Sequence, residues 1–160
     1  MQLEDKMLSH VDLKNNPKMV NIIRKDATLR TAVASCKVLL PSEFVDAVVD
    51  NEIITKKGAV FSTAIVAGTL AAKKTHELIP FCHLLPLEGC KINISYSGKL
   101  EILITCSVEL FGKTGVEMEA LVGVNVAALT IFDMCKSISH KIRIDDICLV
   151  EKRGGKSDFS

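Results

Sequence analysis

Two stretches of strict alternation mark the middle of the chain. In KINISYS (91–97), Ile92, Ile94 and Tyr96 fall on one face; after Gly98, Leu100, Ile102, Ile104, Cys106, Val108 and Leu110 do the same. A period of two is the pattern of a half-buried strand, and Ser97-Gly98-Lys99 between the runs predicts a hairpin. TAVASCKVL (31–39) is short and β-branched and predicts a strand, and KIRIDDICLVE (141–151) predicts a last one. PSEFVDAVVDN (41–51) opens with Pro and Ser, which predicts a helix start. AVFSTAIVAGTLAAKKTHEL (59–78) predicts a longer helix that stops before Pro80. Residues 114–138 predict a third helix, with Thr114 and Glu117 spaced as a capping box. Residues 1–20 show little periodicity and read as an irregular arm, and 152–160 read as a mobile tail.

The order is β-α-α-β-β-α-β. With one helix set aside, this is the split βαβ pattern of a ferredoxin-like fold. The expectation is a single α+β domain over 1–160, with one antiparallel sheet and helices packed on one face. Such a fold hosts many functions and decides none.

The third helix is apolar on every side, as a helix buried all round must be. A four-stranded sheet covers one side only, so the other is expected to meet a second subunit. Its charges sit at its two ends: Glu117 and Glu119 near the start, Asp133 and Lys136 near the finish. On a straight helix Glu119 and Asp133 lie about 21 Å apart, at about 1.5 Å per residue. One chain cannot readily bring both to one small ligand; two subunits with opposed helix ends can.

Composition removes several alternatives. A 160-residue chain is long enough to bury about 70% of its unfolded surface. The net charge is +1 and aromatics are few, which argues against a nucleic-acid partner. The apolar run 58–72 is shorter than the roughly 20 residues of a membrane span. The opening MQLEDKMLSH is too polar for a signal-peptide core, and the six cysteines form no CxxC pair. The expected setting is the cytoplasm, with reduced thiols and no membrane.

The polar residues suggest an anionic substrate and proton transfers. Asp133 and Lys136 are either an ordinary (i, i+3) surface pair or an acid–base pair. Glu117 is either a cap or a site acid. His83, in the apolar LIPFCHLLPL (78–87), is either a structural hydrogen-bonding group or a phosphate donor and proton carrier. Cys82 and His83 with His76 match no zinc template, so no metal is expected. Lys56 and Lys57 precede a helix start, where anions are favoured, and KRGGKS (152–157) is either a loose tail or a phosphate clasp without Walker spacing.

Five stretches then carry a resemblance: KMVNI with RTAVA (18–34), KKGAVFSTAIVAGTLAAKKTHELIPFCHLLPL (56–87), GKTGVEMEAL (112–121), AALTIFDMCK (127–136) and GGKSDF (154–159). The chain resembles the molybdenum cofactor biosynthesis protein C (MoaC) family of cyclic pyranopterin monophosphate synthases. The resemblance implies a ferredoxin-like homohexamer, a trimer of dimers with active sites between subunits and no cofactor. The substrate it implies is 3′,8-cyclo-7,8-dihydroguanosine 5′-triphosphate, converted to cyclic pyranopterin monophosphate with loss of pyrophosphate. By the same resemblance Asp133, Lys136 and Lys57 match catalytic residues. Phe81, Cys82, His83, Glu117, Met118, Glu119, Lys152 and Lys156 match substrate-binding ones. Two departures stand out: LCHPL is usual where this chain has FCHLL, and GGKSGDF where it has GGKSDF. The rival expectations are a non-catalytic ferredoxin-like module binding a nucleotide or metabolite, and a purely structural oligomer.

Overall fold

The computed structural model describes residues 11, 12, 14 and 16–160; most of the expected N-terminal arm therefore lies outside the described residues. In chain order the elements are β1 (Thr28–Leu39), β2 (Val48–Val49), β3 (Glu52–Thr55), β4 (Gly58–Ala59), α1 (Val60–Lys73), α2 (Thr75–Leu78), β5 (Gly89–Tyr96), β6 (Glu101–Gly112), α3 (Glu117–Cys135) and β7 (Arg143–Arg153). The four long strands form one antiparallel sheet in the order β5-β6-β1-β7. With its helices this is an α+β fold. Alternation decides which sheet face is buried: Ala32, Ala34, Cys36 and Val38 of β1 and Ile102, Ile104, Cys106, Val108 and Leu110 of β6 form the floor of the core.

α3 lies across β1, β6 and β7, and α1 packs beside it and over β5. The two helices approach closely because the contact is made of small residues. A Cβ on Gly68 would lie 2.7 Å from the Gly123 carbonyl oxygen and 3.1 Å from Ala127 Cβ. α3 is long and apolar enough to cross a membrane by length and composition, but half of its apolar window is buried in this packing. α1 thus covers, within the same chain, a flank that all-round apolarity assigned to another subunit. Met118 and Leu129 of α3 remain exposed, as do Val66 and Leu70 of α1.

Several elements differ from expectation. The helix over 41–51 does not form. Ser42–Phe44 is a single 3₁₀ turn that buries Phe44, and β2 and β3 then make a hairpin whose turn, Asp50-Asn51, has φ of 50° and 56°. Asp and Asn tolerate that left-handed geometry, the twist of a tight hairpin favours it, and the β-branched Val48, Val49, Ile53 and Ile54 prefer strands. The helix over 59–78 breaks at Lys74, where Thr75 Oγ1 donates to the Ala72 carbonyl at 2.9 Å. The third helix spans 19 residues, not 114–138, and its N-cap, Val116, makes no side-chain cap bond. The Thr114–Glu117 capping box is therefore not formed, and Glu117 pairs with Lys152 instead.

β7 runs to Arg153, so Lys152 is a strand residue. The chain beyond it turns back: Lys152 and Phe159 exchange backbone hydrogen bonds of 2.9 and 3.0 Å, and Gly154 N–H donates to Asp158 Oδ1 at 3.0 Å. Gly154 has φ 79°, and a Cβ there would collide with the Leu29 carbonyl oxygen. Glycine is required at this close crossing.

Candidate active site

A cavity of about 710 Å³ opens at the N-terminal end of α3. All eight residues matched to substrate binding line it: Phe81, Cys82 and His83 from the segment after α2, Glu117, Met118 and Glu119 from the first turn of α3, Lys152 from β7, and Lys156 from the final turn. Pro80 ends the helical region, and the next residues run over the cavity wall. His83 Nε2 donates to the Val20 carbonyl at 2.8 Å, since a carbonyl oxygen can only accept. Leu84 is exposed, and His83 faces the cavity. Glu117 meets Lys152 at 3.2 Å. Glu119 is only 4% exposed; burial, with the Glu117 charge adding, pushes its carboxyl up to about 7. Burial, and then the same Glu119 charge, also raises the Cys82 thiol.

The three residues matched to catalysis sit elsewhere, at the C-terminal end of α3. Asp133 lies between two ammonium groups: Lys136 Nζ at 2.7 Å from Oδ1 and Lys57 Nζ at 2.8 Å from Oδ2. Lys57 Nζ also donates to the Asp133 backbone carbonyl at 2.9 Å, which suits a cation at a helix C-terminus. Hydrogen bonds from Lys136 and then Lys57 hold the Asp133 carboxyl down at about 2. Its side chain is 57% exposed, so a ligand can reach it. From Glu117 to Asp133 the helix rises about 24 Å. The structure therefore brings the matched residues together as two groups, not one.

A model of the MoaC family matches residues 19–155. The chain belongs to the MoaC family. It is 46% identical over 152 residues to a cyclic pyranopterin monophosphate synthase of Xanthomonas campestris, covering 95% of this chain and 92% of that protein. It is 47% identical over 151 residues to a protein of the same name in Campylobacter jejuni, covering 94% and 95%. A molybdenum cofactor biosynthesis bifunctional protein of Synechocystis is 56% identical over 158 residues, 96% of this chain but only 46% of that longer protein. As a MoaC protein the chain is an enzyme of molybdenum cofactor biosynthesis.

Other residues of this MoaC chain at the cavity were not singled out from the sequence. Arg24, Lys25, Arg30 and Lys113 also line it, so with Lys152, Arg153 and Lys156 of KRGGKS seven cations face three carboxyl groups, Asp26, Glu117 and Glu119. Arg30 is held by a bond from Nε to the Gly112 carbonyl, and Lys113 by one from Nζ to the Ile23 carbonyl. The signal was present in RTAVA and GKTG, but a basic residue beside a turn reads as solvated until the chain ends are seen to converge. Among the described residues no group of three or more His, Cys, Asp or Glu could hold a metal ion.

The buried Glu119 makes stability pH-dependent. Its folded pKa of about 7 lies above the ordinary 4.5. The folded chain keeps a proton that the unfolded chain loses, so the group's contribution is full below about 4.5 and is lost as pH rises through about 7. Glu119→Gln is expected to gain stability over wild type between about pH 5 and about pH 8, on the order of 2 kcal/mol. Urea unfolding at the two pH values tests this, and an unchanged difference between variant and wild type refutes it.

Proposed function

We propose that this chain converts 3′,8-cyclo-7,8-dihydroguanosine 5′-triphosphate to cyclic pyranopterin monophosphate, releasing pyrophosphate. The observation that supports this most is the complementary pair of half-sites on α3. One end offers a cation-rich cavity sized for a nucleotide-like molecule; the other offers a carboxylate between two ammonium groups. In this reading the cavity's Lys, Arg and His83 bind the triphosphate and stabilise departing pyrophosphate. Phe81, Cys82 and Met118 pack against the substrate, and Glu117 and Lys152 exchange their mutual pair for it. Asp133, Lys57 and Lys136 move protons during ring opening and rearrangement. Asp133 stays ionised while Glu119 carries a proton near neutral pH, and two carboxyls driven apart in this way are suited to opposite acid–base roles.

The reading requires the two ends to meet between subunits. We propose a homohexamer, a trimer of dimers, on a ferredoxin-like split βαβ scaffold, acting in the cytoplasm on a small molecule without a cofactor. The β5-β6-β1-β7 order with crossovers through helices supports the scaffold. The exposed Val66, Leu70 and Leu129 offer apolar surface for assembly.

The test is a coupled assay. The cyclised GTP derivative, freshly made by the upstream radical enzyme, is supplied and cyclic pyranopterin monophosphate and pyrophosphate are followed by mass spectrometry. Product from a particle near six times 17.4 kDa by light scattering is the expected result. Binding without turnover by a folded oligomer refutes the synthase, and a stable monomer refutes the shared site.

A further inference from the structure

α1 begins without a cap of its own. Its N-cap is Ala59, in the extended conformation at φ −72° and ψ 120°, and makes no side-chain bond. The second and third helical residues are those whose N–H groups an N-cap side chain normally satisfies. Here both are taken by Glu52, on β3. Glu52 Oε1 accepts from Phe61 N–H at 2.7 Å, and Oε2 accepts from Ser62 N–H at 3.1 Å and from the Ser62 hydroxyl at 3.0 Å. Oε1 also accepts from Ile53 N–H at 2.9 Å. Burial opposes the charge, but the bonds from Phe61, Ile53 and Ser62 outweigh it and hold the carboxyl below its usual value.

The segment between Glu52 and Phe61 is the hairpin that carries Lys57. β3 and β4 pair Ile54 with Ala59 and Thr55 with Gly58, Gly58 has φ 110°, and Lys57 N–H donates to Thr55 Oγ1 at 3.1 Å. The ladder is two residue pairs long, and a two-stranded hairpin is marginal by itself. Glu52 ties its base to the start of a core helix, and Lys57 leaves its tip to reach Asp133.

We infer that Glu52 is a positioning residue: by capping α1 from β3 it fixes the hairpin that delivers Lys57 to Asp133. The catalytic consequence rests on the proposed function; the placement of Lys57 does not. An ammonium released from its carboxylate and carbonyl partners becomes more reactive toward acylation. Competitive labelling of the full-length protein with acetic anhydride, read by mass spectrometry against exposed Lys99, measures this without turnover. Glu52→Ala is expected to raise Lys57 labelling several-fold and to lower kcat by about tenfold or more, with KM little changed. Glu52→Gln, which keeps one acceptor oxygen, should fall between it and wild type, and is the variant to read if Glu52→Ala does not fold.

Ala59→Asp in the Glu52→Ala background separates positioning from capping. Asp at this extended N-cap can satisfy the Phe61 and Ser62 N–H groups from within the helix, but does not tie β3 to it. The double variant should recover melting temperature and leave Lys57 over-reactive and kcat low. Unchanged Lys57 labelling in Glu52→Ala and Glu52→Gln overturns the inference. So does recovery of labelling and kcat together with melting temperature in the double variant. A wild-type protein with shielded Lys57 and no synthase activity would remove the proposed function and leave the role of Glu52 standing.

Discussion

Asp133→Ala is expected to lower kcat on the order of 100- to 10,000-fold, the usual share of one positioned acid or base, while the protein melts nearly as before. The carboxylate is solvent-exposed in its chain, and among the described residues its ion pairs are with Lys57 and Lys136. Exposed pairs of this kind contribute little to stability, so the loss should be one of chemistry, not of fold. Asp133→Asn adds information, because it keeps the shape and removes the charge that holds the two ammonium groups together; it should be nearly as inactive. The carboxyl sits at about 2, so it remains ionised down to that pH, and an acid limb of the rate profile nearer neutrality must come from another group. Glu119, protonated below about 7 and so the acid of the two carboxyls, should instead set an alkaline limb, with activity falling as pH rises through that value. The coupled assay across pH, with thermal melts of each variant, decides the matter. Turnover within a few-fold of wild type in Asp133→Ala would make the triad an ordinary surface ion pair.

The second large effect is on stability. Gly68→Val is expected to destabilise the protein by about 1–3 kcal/mol or more, the usual range for overpacking a close contact. A Cβ at Gly68 would lie 2.5 Å from Ile92 Cδ1 and 2.7 Å from the Gly123 carbonyl oxygen. The isoleucine tip can turn away, but the carbonyl belongs to the backbone of α3 and moves only if the helix moves. Replacing glycine within a helix would ordinarily gain up to about 1 kcal/mol in propensity, and β-branched valine recovers only part of that. Steric exclusion should therefore win. Since α3 carries half-sites at both ends, activity should fall with the urea midpoint. A midpoint equal to wild type would mean that α1 and α3 do not approach as closely as described.

The long strands were legible because their alternation has only one solution once a single face is buried. The sequence runs 31–39, 91–97, 100–110 and 141–151 all fall on the sheet, with ends displaced by a few residues. The segment 41–51 was not legible, because Pro-Ser suits either a helix or a 3₁₀ turn, and a hairpin turn at Asp50-Asn51 is visible only when strands are sought on both sides. The capping box failed for a tertiary reason: Glu117 has a lysine from β7 within reach, and a charged partner competes with the backbone of its own helix. The acids and lysines of α3 were readable as two separate ends. The cations Arg24, Arg30 and Lys113 were not, because three distant segments converge on one cavity only after the sheet has formed.

The length of α3 has a consequence for inheritance as well as for chemistry. If the half-sites meet across a boundary between subunits, every chain serves two reaction centres, lending the head of its helix to one and the tail to another. A lesion at one end then harms a centre shared with a healthy neighbour, so a defective allele can depress a mixed population of oligomers by more than its share. Two alleles damaged at opposite ends can also complement each other, because an intact head and an intact tail still meet at some boundaries.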